Sequence, residues 1–202
     1  MIKIHGNKKS KNLIIGWGST KGAILDAIDG EDYKFLQVLY MKPLSNQMLS
    51  NLLWAAWGIN RSEDGRRTAP SSHNEQNTVL YCSLAEGLYT YDAQNHSLVL
   101  VTNKDIRAET GTQDYVKNAS LNLMYVAKGD SAANWDETRI NAACVNAAFI
   151  AQNVYLFCAS EGLSCVVRGS FDGKKLQEIL QLGMDKVSVL AQSVGFPAEE
   201  DK

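Results

Sequence analysis

The sequence predicts an α+β fold, and three observations carry that prediction. β-like runs follow one another at Thr78 to Leu84, Leu88 to Tyr91 and Ser97 to Thr102, with Asp92-Ala93-Gln94-Asn95 joining the last two as a hairpin. Helical stretches lie apart from these strands, without the regular βαβ rhythm of a doubly wound sheet. One helix is long and apolar almost all the way round. Ile140, Ala143, Cys144, Ala147, Ala148, Ala151, Val154, Tyr155 and Cys158 follow i, i+3, i+4 spacing, and Val145, Phe149 and Ile150 fill the faces between. Such a helix is either central in the fold or packed on a second subunit.

The other elements follow from local pattern. Asn12 to Ile15 reads as a strand, Gly16 to Gly22 as a glycine loop, the chain to Ile28 as a short helix, and Phe35 to Tyr40 as a strand. Leu49, Leu52, Leu53, Ala56 and Trp57 recur at helical spacing, with Ser45 as N-cap and Gly58 as stop. Asn60 to Asn77 is polar and aperiodic, a loop of about 17 residues and long enough to carry function. Helical turns are expected over Lys104 to Lys117 and a strand over Leu121 to Ala127. The chain closes with a strand (Cys165 to Arg168), a helix (Gly173 to Leu182) and a strand (Lys186 to Val194).

Bulk properties exclude several classes. The 202 residues are 45% hydrophobic and 21% charged, with a net charge of −2, which gives no electrostatic reason to expect nucleic acid or an anionic membrane. The apolar run Leu13-Ile14-Ile15 is too short for an export signal, and no stretch reads as a transmembrane helix. The expected address is the cytoplasm. Cys82, Cys144, Cys158 and Cys165 form no CxxC pair and sit among apolar residues, so they read as buried free thiols. His5, His73 and His96 lack ligand spacing, and no metal site is expected.

Two segments carry chemistry. Gly65-Arg66-Arg67-Thr68-Ala69-Pro70-Ser71-Ser72-His73-Asn74-Glu75-Gln76 gathers guanidiniums, hydroxyls and amides in a short turn-rich stretch. It suits a polyoxygenated, partly anionic ligand, or else it is a solvated loop with capping serines. Ser160-Glu161-Gly162-Leu163-Ser164-Cys165-Val166-Val167-Arg168 ends the long helix. Gly162 is a natural helix stop, and a glycine there also lets backbone approach a planar ring closely. Arg168 at a strand end either reaches a phosphate or is an exposed charge.

Leu52 to Arg61, Gly65 to Gln76, Ala148 to Leu156 and Ser160 to Asp172 stand in an order and spacing that resemble the FMN-dependent nitroreductase family. The likeness is closest to a subgroup with a Gly-Arg-Arg-Thr-Ala-Pro-Ser motif and covers about three quarters of the chain, roughly residues 42 to 197. It implies a mostly antiparallel central sheet flanked by helices, with the long helix at the interface of an intertwined homodimer that binds FMN. Pro70, Ser71, Ser72, Asn74 and Gln76 match the family's Pro-Ser-Ser-x-Asn-x-Gln loop, which meets the flavin held mainly by the other subunit. Glu161 and Gly162 match the pair whose backbone lies beside the flavin N5 and O4 edge, with Leu163 as their neighbour. Arg66, Arg67 and Arg168 are unranked candidates for the ribityl chain, pyrimidine oxygens or phosphate. The implied reaction passes electrons from NAD(P)H through the flavin to a nitro compound, quinone or similar acceptor, with no catalytic side chain. The chain lacks a Gly-x-Gly-x-x-Gly fingerprint, which favours FMN over FAD.

The resemblance breaks upstream. Lys42-Pro43-Leu44-Ser45 fits the start of the family's first conserved helix, but Asp29 to Gln37 lacks the Arg-x-Ser-x-Arg phosphate clamp, and Glu31 and Asp32 stand where arginines belong. Residues 12 to 40 instead resemble a piece of the 2-oxoacid:ferredoxin oxidoreductase α subunit. The expected organisation is an atypical segment at residues 1–41 and an FMN-binding domain at 42–202. Two alternatives follow: a catalytically impaired flavin-binding or structural relative, or a component attached to a ferredoxin-linked oxoacid enzyme.

Overall fold

The computed structural model describes residues 42–129 and 135–197. The strands, glycine loop and short helix expected within residues 1–41 lie outside the described residues.

The first helix, α1 (Asn46–Trp57), starts where Ser45 Oγ accepts the Met48 N–H at 3.2 Å. Its apolar stripe buries Leu52, Leu53, Ala56 and Trp57, and the Trp57 indole donates to Thr78 O at 3.0 Å. After Gly58 the expected loop is partly structured. A ribbon of β1 (Ile59–Arg61) and β2 (Arg66–Arg67) turns at Gly65, whose φ of 67° suits glycine. The Arg61 guanidinium donates across the ribbon to Arg67 O at 2.5 Å. The short polar strands and this local bond carry no periodic signature, which is why the segment reads as loop from sequence.

Six antiparallel strands form the main sheet: β3 (Thr78–Leu84), β4 (Gly87–Asp92), β5 (Ser97–Thr102), β6 (Leu121–Lys128), β7 (Ser164–Arg168) and β8 (Lys186–Gly195). Their order is β5-β4-β3-β6-β8-β7. Alternation along β3 and β6 feeds two cores. Leu80, Cys82, Leu123 and Tyr125 point to the face covered by α1 and the long helix. Tyr81, Met124 and Val126 point to the other face, under Leu176 and Leu180. The mostly antiparallel α+β arrangement matches the expectation. Lys104 to Lys117 contains two short 3-10 turns, Arg107–Glu109 and Asp114–Asn118.

The long helix, α2 (Glu137–Glu161), is capped by Asp136, whose carboxylate accepts the Arg139 N–H at 2.9 Å. It ends at Gly162, with φ 70° and ψ 24°, a left-handed cap that glycine adopts without steric cost. One face packs Ala143, Ala147, Ile150, Val154 and Cys158 into the core. The opposite face leaves Val145 54%, Phe149 47% and Leu156 58% exposed. By length and mean hydropathy alone (1.5 over its most apolar stretch) α2 could cross a membrane, a test that the core helices of soluble proteins also pass. Here that apolarity serves the sheet on one side. The last helix, α3 (Gly173–Ile179), is shorter than expected, because Gln181 takes a left-handed φ of 52° and turns the chain toward β8. Cys82, Cys158 and Cys165 are buried and Cys144 half-buried, and none of the four is in a disulfide among the described residues.

Candidate functional site

The Pro70-to-Gln76 loop is held by its own polar groups. Ser71 Oγ accepts the Gln76 N–H at 2.9 Å, and the Gln76 side-chain amide donates to Gly65 O and Asn74 Oδ1. His73, Asn74 and Gln76 all have φ between 49° and 56°. Left-handed backbone at non-glycine residues costs energy and persists where the surroundings impose it, which is common where a loop serves a ligand. The loop is seated on α2 by one bond: Ser72 N–H donates to Asn146 Oδ1 at 3.0 Å. Asn146 is 3% exposed and was not among the residues singled out from sequence. Its signal was an amide on an otherwise apolar helix face, between Ala143 and Ala147.

The three candidate arginines differ sharply. Arg67 is half-buried and committed: Nε donates to Gln76 Oε1 and Nη1 to Trp57 O, each at 2.8 Å, and the guanidinium lies 4.6 Å from the Trp57 ring centroid. Burial lowers its pKa, against smaller opposing effects of Tyr91 and Asp92. Arg66 is exposed and paired with the surface carboxylate Asp64 at 3.1 Å. Of the two readings left open for Arg168, the exposed charge is excluded, since it is 4% exposed. Its guanidinium donates to Thr110 O at 2.8 Å and Asn122 Oδ1 at 3.1 Å, and burial lowers its pKa to about 10. Its Nη1 and Nη2 groups fasten the chain around Thr110 to the sheet, while its buried Nε has no partner among the described residues.

At the other end of α2, Glu161 and Gly162 are exposed and Leu163 is buried. The N–H groups of Gly162 and Leu163 both turn back to Cys158 O. A side chain at Gly162 would meet nothing within 4 Å, so the space over this turn is open to a flat group. From Asn146 to Gly162 the helix rises about 24 Å, at about 1.5 Å per residue. Within one protomer, therefore, the loop and the Glu161-Gly162 turn stand at different places along α2.

The Nitroreductase family profile matches residues 39–196. The chain belongs to the nitroreductase family. A nitroreductase-like protein of Methanocaldococcus jannaschii is 29% identical over 157 residues, covering 69% of this chain and 76% of that protein. Among solved structures, a nitroreductase-like protein of Ralstonia eutropha superposes with a TM-score of 0.75 at 39% identity, covering 81% of this chain and 79% of the other. The NADPH:FMN oxidoreductase of Vibrio harveyi, solved with NAD+, shares the fold at 18% identity and a TM-score of 0.58, covering 81% of this chain and 64% of that one. Membership in the nitroreductase family makes this chain a flavin-dependent oxidoreductase in the general sense. Its donor groups suit a flavin: a loop rich in hydroxyls and amides, and an open glycine turn beside which a planar ring has room.

Proposed function

We propose that this nitroreductase is an FMN-dependent oxidoreductase that passes electrons from NAD(P)H to a nitro compound, quinone or similar small acceptor. We also propose that it works as a homodimer in the cytoplasm. The carrying observation is the separation of the loop from the Gly162 turn along α2. One flavin ring system cannot touch both in a single protomer. A second copy laid against the exposed Val145, Phe149 and Leu156 face, antiparallel along α2, would bring the loop of one protomer to the Gly162 turn of the other.

In this reading the turn at Glu161, Gly162 and Leu163 lies along the edge of the ring, and Gly162 keeps the approach clear. Pro70, Ser71, Ser72, Asn74 and Gln76 of the second copy close over the ring and its ribityl chain, with hydroxyl and amide groups for its oxygens. Arg66 is the accessible guanidinium for an anionic part of the ligand, and Arg67 holds the loop to Trp57. The flavin, when bound, supplies the hydride exchange. The protein orients it and excludes water. We read residues 1–41 as a segment added to the family domain at 42–202, in keeping with a family match that starts at residue 39.

The test is direct. Purified protein should run as a dimer by light scattering, release FMN rather than FAD on denaturation, and oxidise NADH or NADPH only when a quinone or nitroarene is supplied. A monomer that stays colourless after incubation with FMN would sink the proposal.

A further inference from the structure

The first helix and the β4–β5 hairpin border a cleft of about 220 Å³. Leu49, Leu53 and Leu98 form its apolar wall, and Asn46, Ser50 and His96 contribute its polar groups. At its edge, three side chains from distant parts of the chain form a hydrogen-bonded row. His96 Nε2 lies 2.7 Å from Ser50 Oγ, and His96 Nδ1 lies 2.8 Å from Tyr91 Oη. The imidazole also stands edge-on to the Tyr91 ring, with centroids 5.8 Å apart and planes at 89°. His96 holds a left-handed φ of 46°, a conformation that costs a non-glycine residue and is kept where contacts impose it.

The order of protons in this row follows from acidity. Tyr91 is buried, and burial pushes its phenol up to about 12, so it stays protonated at neutral pH. In the tautomer that carries its proton on Nε2, His96 accepts from Tyr91 O–H at Nδ1 and donates from Nε2–H to Ser50 Oγ, an order favoured because a phenol is a stronger donor than an aliphatic alcohol. A serine inside a helix can return its proton to the carbonyl four residues back. Among the described residues, the hydrogen-bond partner of Ser50 Oγ is instead His96. The Ser50 proton is thus left for an acceptor in the cleft, and hydrogen bonds in a row strengthen one another.

From this geometry we infer that the cleft is a second binding site, for a small neutral ring carrying a carbonyl oxygen. The oxygen accepts from Ser50 Oγ–H, and the ring lies against Leu49, Leu53 and Leu98. Among the described residues, no Asp, Glu, Lys or Arg lines the cleft, which selects against ionised ligands. An apolar cavity of about 150 Å³ holds a benzene ring, so this volume takes one substituted ring and not a dinucleotide. The inference does not depend on flavin binding.

The experiment is a titration of the full-length protein with cyclohexanone, following the imidazole nitrogens of His96 and His73 by NMR. The expected result is a saturable shift at His96, a dissociation constant on the order of 1 mM, and no shift at His73. Ser50→Ala should weaken binding about three- to tenfold. Leu98→Trp, which fills the cleft from a half-buried position, should abolish binding while thermal melting shows a folded protein. The inference is overturned if His96 does not respond at about twenty times the expected constant, or if Ser50→Ala binds as well as its parent. A folded Leu98→Trp protein that still binds would overturn it too. Should Leu98→Trp not fold, the Ser50→Ala titration decides alone.

Discussion

Asn146 Oδ1 accepts the backbone N–H of Ser72 at 3.0 Å, and this bond between residues 74 positions apart seats the Pro70-to-Gln76 loop on α2. It gives the loop a fixed address on a rigid element while leaving its side chains toward solvent. Asn146 also donates to Asn77 Oδ1 at 3.4 Å, so the amide bridges both the inside and the end of the loop.

Asn146→Ala removes that bridge and strands a donor. The cost should be about 1–3 kcal/mol of stability, read from urea unfolding followed by tryptophan fluorescence. The variant should also hold FMN more weakly, because the loop loses its seat. A variant as stable as its parent would show that the loop is held by something else.

The exposed face of α2 should be an interface. Replacing Phe149 or Leu156 with Glu places a carboxylate where apolar contact is proposed, and burying an unpaired charge is costly. Light scattering should then report a single-chain mass, and flavin should be lost with the dimer. Either variant remaining a dimer with full flavin content would refute the arrangement along α2.

Arg66 and Arg168 should separate binding from stability. Arg168→Ala breaks charge-assisted bonds in the interior and should cost about 2–3 kcal/mol of stability, while the folded fraction binds FMN within about threefold of the parent. Arg66→Ala should leave stability nearly unchanged and weaken FMN about tenfold. Fluorescence quenching of FMN and urea unfolding measure the two quantities. The reverse pattern would restore Arg168 as a phosphate ligand. Because Arg66 is the accessible guanidinium among the three arginines named from sequence, with Arg67 and Arg168 drawn inward, FMN is expected to dissociate during gel filtration.

Stability should fall on the alkaline side. Burial raises the pKa values of Tyr91 (to about 12), Tyr81, Tyr125 and the Cys82 thiol. For an acid whose folded pKa is raised, stability is complete below the unfolded pKa and declines as pH rises above it, since the unfolded chain gives up the proton first. Unfolded thiols ionise near about 8.5 and tyrosines near about 10, so the decline should begin near pH 9. Arg168 opposes it, because its folded pKa of about 10 lies below 12.5 and its cost is relieved as pH rises between them. One arginine acts against several tyrosines and thiols, so the net slope is downward. Urea unfolding at pH 8, 9 and 10 measures it, and a flat profile would contradict the burial of these groups.

Periodic information was legible in the sequence by itself. The β-rich runs of β3 and β6, the Ser45 cap of α1, the apolar length of α2 and its stop at Gly162 are all local, because side-chain pattern and backbone preference act within a few residues. The order of the motifs likewise led to the family. What only the tertiary structure decided was the partner of each polar group. Arg67 and Arg168 look like equivalent cations along the chain, yet both are drawn inward, one onto Trp57 and Gln76, the other onto Thr110 and Asn122. Asn146 passes for a minor flaw in an apolar helix until the loop around Ser72 comes to rest on it. The ribbon Ile59–Arg61 with Arg66–Arg67 reads as loop for a different reason: its strands are short and polar, and the local bonds that fix it carry no periodic pattern. A hydrogen bond between residues far apart in sequence exists only once packing has brought donor and acceptor together. That is why the fold could be read from pattern while the division of labour among the arginines could not.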